Sequence, residues 1–229
     1  MVILRRAIWV LDFRSLTAKN RGEQMKVIGL TGGIGCGKSA VARKLAEEAG
    51  VESLDCDRIA WETYQPHTAI YQRLVRRFGK GVVASSGKID RARLGSLVFS
   101  DNKAQADLDA IIHPAVIEQL QEQIGINQQR GTELLIVEGA LLLNSPHVDL
   151  DLFDIIIQLE LSRSEQLARL KGRDKRTQEK IERIIDIQRE MDQRSAPDYI
   201  IDASGTVDEV VEHIKEILRR LKGSQRHLS

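Results

Sequence analysis

The chain is 229 residues long with 42% hydrophobic and 29% charged residues, the balance of a globular protein with one core and room for an insertion. Lys and Arg number 34 against 33 Asp and Glu, so no overall field draws it toward nucleic acid or an anionic membrane, and a small molecule is the expected partner. Its two cysteines, Cys36 and Cys56, make neither a disulfide framework nor a zinc-ligand spacing; a reducing cytoplasm is the expected compartment.

Residues 1–24 open with MVILRRAIWVLDF, in which Asp12 interrupts the apolar run before any small-residue cleavage site, so a secretory signal does not fit. Arg5, Arg6, Arg14, Lys19 and Arg21 suit a mitochondrial presequence better, but Asp12, Glu23 and the scarcity of serine count against it. The expectation is an upstream extension that ends before Met25. No later run reaches the ~20 apolar residues of a membrane span.

From Lys26 onward, short apolar runs alternate with helical periodicity, the pattern of a parallel sheet covered by helices. Residues 27–31 read as a buried first strand. A helix follows from Lys38, with Val41, Ala42, Leu45 and Ala49 on one face and Gly50 as its left-handed cap. Residues 52–55 form a short second strand, and the β-branched runs at 134–138, 154–161 and 198–202 supply three more. The fold class expected is α/β, a five-stranded parallel sheet with helices on both faces.

No strand is expected between Asp57 and Gly131, only helical stretches forming an insertion beside the sheet; within it Trp61 and Tyr64 read as core, and Pro114 as a residue that starts a helix. Residues 162–194 are highly charged and read as two helices joined near 174–177. A last helix at 207–221 precedes a frayed tail. The resulting division is a core of 25–56, 131–161 and 195–222, an insertion at 57–130, a segment at 162–194, and a tail at 223–229.

The chemistry begins at Gly32-Gly33-Ile34-Gly35-Cys36-Gly37-Lys38-Ser39, which satisfies GxxxxGK(S/T) between a strand and a helix. The glycines let backbone N–H groups close on a phosphate, and the following helix points its positive end at the same place. Gly33, Gly35, Cys36, Gly37, Lys38, Ser39 and Ala40 are therefore the candidate nucleotide-binding residues. Lys38 would reach the β- and γ-phosphates, and the Ser39 hydroxyl would hold Mg²⁺. A thiol at Cys36 has two readings: one activated by the helix end and Lys38, or a small inert residue filling the loop.

Asp55 and Asp57 in LDCDR follow the second strand, where ligands collect in open α/β sheets. In an extended chain they would point in opposite directions, with Asp57 toward the site, able to orient a hydroxyl nucleophile; helix capping is the competing account. Arg169 and Arg173, at i and i+4, would share one helix face as the cations of a lid that excludes water, although such pairs are also common on plain surfaces.

In series, IGLTGGIGCGKS, DCD, FGKGVV with GKIDRARLGSLVF, IIHP at 111–114, and QLARLKGRD followed by Ile187-Gln188 resemble the dephospho-CoA kinase family over nearly all of residues 25–221. The resemblance implies a P-loop fold like that of nucleoside monophosphate kinases, with an acceptor-binding helical insertion and a lid at 162–194. It implies transfer of phosphate from ATP, with Mg²⁺, to the ribose 3′-hydroxyl of dephospho-CoA, the final step of coenzyme A synthesis. On the same resemblance Asp57 lies near that hydroxyl. EGALLLN at 138–144 departs from the family's Asp-x-Pro-Leu-Leu pattern, and Ala203 stands where an asparagine is common. His113 stays open between a structural and a binding role. A guanine-reading Asn-Lys-x-Asp is absent, since Asn102-Lys103 continues to Gln105. A P-loop kinase for a nucleoside or sugar and a non-catalytic nucleotide-binding regulator remain as alternatives. The oligomeric state is not encoded in any of these features.

Overall fold

Strand β1 (Lys26–Thr31) is buried from Val27 to Thr31. It lies between β3 (Leu134–Glu138) and β4 (Ile155–Glu160), parallel to both. Strands covered on two faces must be apolar at nearly every position, as these are. The outer strands, β2 (Val51–Asp55) and β5 (Tyr199–Asp202), are only intermittently buried and complete the order β2-β3-β1-β4-β5. The computed structural model describes residues 25–99, 101–140, 142–143, 148–174, 176–190 and 195–225; the expected extension at 1–24 and the end of the tail at 226–229 lie outside them.

The runs expected at 154–161 and 198–202 both lose their first residue, for the same physical reason. Asp154 donates its backbone N–H to the Val27 carbonyl (2.8 Å) while its Oδ2 accepts the Val27 N–H (2.7 Å). Asp198 repeats this on Ile156, at 2.9 and 2.7 Å. Each carboxylate replaces a backbone carbonyl just before its strand, and so fixes the register from which parallel pairing starts.

Helix α1 (Lys38–Leu45) is shorter than expected. It stops once Val41, Ala42 and Leu45 have been buried, and Ala46 caps it. Gly50 instead holds a left-handed conformation (φ 77°) in the turn into β2, where a Cβ would press on Glu133 at 3.2 Å. The last helix, α8 (Val207–Gln225), runs further than expected, into the segment read as tail. Its Val210, Val211 and Ile214 pack with α1 over Ile28, Leu30, Ile157 and Leu159.

The contacts divide the chain into two units. One comprises the described residues up to Ser53 and from Gln128 onward, with the sheet, α1, α8, α6 (Arg163–Leu170) and α7 (Gln178–Glu190). The other, Leu54–Asn127, contains α2 (Cys56–Thr63), α3 (Ala69–Phe78), α4 (Arg91–Phe99) and most of α5 (Asn102–Gln129). This second unit has its own core of Tyr64, Leu74, Val82, Ile89, Leu94 and Ile111, with Trp61 packed against it. Among its described residues it holds, besides helices and the end of β2, an antiparallel bridge of Val83 with Ile89. Pro114 starts no helix: it lies inside α5, where it removes one backbone hydrogen bond without ending the helix.

Candidate active site

The sheet order reverses at β1, since the chain passes from β1 to the β3 side before returning to β4 on the other. The crevice beyond the carboxyl ends of such strands is where open α/β sheets bind ligands. Residues 32–37 leave β1 at this point. At Gly32 (φ 140°) a Cβ would lie 2.4 Å from the Leu159 carbonyl oxygen, so no side chain fits. Gly37 (φ 88°) caps α1 with no side-chain hydrogen bond, leaving the cap position to backbone alone.

Around this loop the predicted side chains converge. Lys38 folds back so that its Nζ donates to the carbonyls of Gly32 (2.7 Å) and Gly33 (3.1 Å), laying a cation across the loop. Ser39 Oγ donates to Glu138 Oε2 at 2.8 Å. Glu138 ends β3, is buried, and was absent from the sequence-derived candidates; its place at the end of a central strand is the signal that could have found it. Cys36 is 2% exposed, and burial pushes its thiol up more strongly than Lys38 pulls it down. Between the two readings of Cys36, the structure supports the inert one.

A second layer holds the loop from outside. Gln188 Oε1 accepts the Ile34 N–H (2.8 Å), and Gln166 Nε2 donates to the Ile34 carbonyl (2.8 Å). Arg189 donates to Gln166 Oε1 through Nε and Nη2, each at 3.2 Å, and to the Leu161 carbonyl at 2.6 Å. Arg189 carried no sequence signal, and Gln166 and Gln188 carried one only through the family resemblance, as the first residue of QLARLKGRD and the second of Ile187-Gln188.

The arginine pair is not where spacing placed it. Helix α6 ends at Leu170, Lys171 leaves the helical conformation, and Gly172 adopts φ 77°, so Arg169 and Arg173 share no helix face. Arg169 Nη2 donates to the carbonyls of Ala203 (2.5 Å), Ser204 (3.1 Å) and Gly205 (3.1 Å), tying α6 to the loop after β5. Arg173 lies in the exposed turn beyond α6.

In the other unit the chain has already turned helical at Cys56, so the alternation argued for an extended Asp55-Cys56-Asp57 does not apply. Asp55 is the cap: its Oδ1 accepts from the N–H groups of Asp57 (2.8 Å) and Arg58 (3.1 Å). Asp57 lies exposed in the first turn of α2. The capping duty weighed for Asp57 belongs to its neighbour.

The dephospho-CoA kinase family profile matches residues 26–209. The chain belongs to this family. It is 36% identical over 199 residues to the dephospho-CoA kinase of Thermobifida fusca, covering 86% of this chain and 97% of that one. Among solved structures it resembles a Thermus thermophilus protein (TM-score 0.68, 24% identity, 87% of this chain and 99% of that one) and the dephospho-CoA kinase of Campylobacter jejuni (TM-score 0.53, 22% identity, 86% and 98%). Both likenesses carry the P-loop kinase fold expected from the sequence. Membership brings the reaction class with it: the chain is a phosphotransferase acting on an alcohol, in the final step of coenzyme A synthesis. Neither a nucleoside or sugar kinase nor a non-catalytic regulator finds support. Among the described residues no helix is long and apolar enough to cross a membrane.

Proposed function

We propose that the chain transfers the γ-phosphoryl group of ATP to the ribose 3′-hydroxyl of dephospho-CoA, in the cytoplasm. The observation that carries this reading is the meeting of Ser39 and Glu138 at 2.8 Å beside Lys38, at the carboxyl ends of adjacent central strands, in a chain of this family. Backbone N–H groups among Gly33, Gly35, Cys36, Gly37, Lys38, Ser39 and Ala40 receive the phosphates, while that of Ile34 is held by Gln188. Lys38 exchanges its two carbonyl partners for phosphate oxygens, which bind an ammonium more strongly.

The oxygens of Ser39 and Glu138 suit Mg²⁺, a hard cation that takes one or two protein oxygens together with substrate phosphates and water. Among the described residues no larger His, Cys, Asp or Glu cluster offers a competing site. Bound there, Mg²⁺ would neutralise phosphate charge as it moves. Ser39 would hold it through Oγ, with Glu138 accepting the Ser39 proton and fixing the direction of its lone pairs.

Asp57 orients the acceptor hydroxyl and takes its proton late, as a loose transition state allows. Residues 57–130 bind the acceptor and 162–194 act as a lid. Arg173 is the lid cation free of the Ala203–Gly205 tether, whereas Arg169 is held there through Nη2 while its Nη1 stands 3.7 Å from where a Gly37 Cβ would lie, beside the phosphate loop.

The test is to offer ATP and Mg²⁺ with dephospho-CoA, nucleosides and sugars, and to locate the new phosphate by NMR. Phosphate on the 3′-hydroxyl of dephospho-CoA is expected. Phosphate on another hydroxyl, or only on other acceptors, would refute the proposal.

A further inference from the structure

Ile34 is the one residue of the phosphate loop whose backbone N–H and C=O are both engaged by side chains from outside the loop among the described hydrogen bonds. The acceptor comes from α7, through Gln188, and the donor from α6, through Gln166. Gln166 is 3% exposed, and a buried amide is costly unless its polar atoms are matched. Here they are matched with a fixed sense. A guanidinium only donates and a carbonyl only accepts, so Arg189 must face Gln166 Oε1 and Ile34 must face Nε2. Rotating the amide by half a turn would set donor against donor and acceptor against acceptor.

The same contact explains Gly33. A Cβ there would stand 2.6 Å from Gln166 Nε2 and 3.5 Å from Gln188 Oε1. The neighbouring side chain end is ordinarily able to move away, but this one is buried and bonded on both sides. Gly33 is thus required by the approach of Gln166.

We propose that Gln166, Gln188 and Arg189 form a positioning clamp that fixes the Ile34 peptide, so that the neighbouring N–H groups of the loop are set toward nucleotide phosphate before it binds. None of the three touches substrate in this account; each acts through the loop. The saving is entropic. A loop already held loses less freedom on binding, and that difference enters nucleotide affinity and not acceptor affinity. The proposal rests on the loop being the ATP site, and its spectroscopic arm is independent of that assignment.

The experiment compares Gln188→Met, which keeps length and removes the acceptor, with Gln188→Glu, which keeps an acceptor for the Ile34 N–H. Amide exchange at Ile34 is followed by NMR on the ¹⁵N-labelled full chain without nucleotide, and KM is measured for ATP and for dephospho-CoA. Losing one such hydrogen bond corresponds to about tenfold. In Gln188→Met, Ile34 exchange should quicken about tenfold, β1 amides should be unchanged, and KM for ATP should rise about tenfold with KM for dephospho-CoA unchanged. In Gln188→Glu, Ile34 exchange should stay slow. Unchanged Ile34 exchange in Gln188→Met overturns the clamp. So does fast exchange in Gln188→Glu, a parallel rise of both KM values, or a general quickening across β1 that marks a merely structural loss. Slow exchange in the parent, lost in Gln188→Met without any change in the KM for ATP, refutes the link to nucleotide while leaving the phosphotransfer reading intact.

Discussion

Cys36 shows how one residue's chemistry is decided by what surrounds it. Lys38 and the end of α1 favour a thiolate, but burial opposes it and prevails, so the group stays protonated around neutral pH. Alkylation should therefore reach the half-buried Cys56 before Cys36, which peptide mapping after limited labelling would show. Raising the pH through the ordinary thiol range should leave labelling of Cys36 still quickening after that of a free thiol has levelled off, because its folded pKa lies higher. Glu138 carries a second expectation. Gln at this position still accepts from Ser39 but loses the charge, so Glu138→Gln should raise the Mg²⁺ concentration for half-maximal rate about 10- to 100-fold, the usual effect of altering a group behind a metal ligand. At Asp57, replacement by Asn should cost ~10²–10⁴ in kcat if the carboxylate takes the proton, and less if it only orients the hydroxyl.

Among the elements, the strands are placed by side chains that are not formally part of them. Asp154 and Asp198 each make a two-point junction with the strand next door. Asp154→Ala leaves the Val27 N–H without its partner and should cost about 1–3 kcal/mol. A lower urea midpoint with unchanged slope would register that loss, whereas an altered slope would indicate a change in the unfolded or native compactness. The elements also show why part of the site could be read from sequence. Strand, glycine loop and helix are contiguous from Lys26 to Leu45, and local rules describe contiguous chain. The clamp on Ile34 joins residues 132 and 154 positions apart. On a charged helix face Gln166 and Gln188 look like solvated residues, and only tertiary packing makes one of them buried. The arginine pair misled for the converse reason: i and i+4 spacing means adjacency only while the helix lasts, and it ends at Leu170.

For the whole molecule, the family and the α/β class were legible because continuous apolar strands and ordered motifs recur along the entire matched span. Element ends were less so, as at Gly50, which serves a turn pressed against Glu133 and not the helix before it. A chain beginning at Met25 should fold and turn over normally, since β1 and its loop start there; a lower melting temperature or rate would show that residues 1–24 support the body. The two opening glycines of the loop also differ in how the chain could diverge. Opposite Gly32 stands a backbone oxygen, which no substitution elsewhere can remove, so that position admits no replacement in any background. Opposite Gly33 stands a side chain, and side chains can be exchanged. Gly33→Ala should thus be deleterious alone and partly restored by shortening Gln166 to Ser, a reciprocal pair that descendants can cross only by changing both.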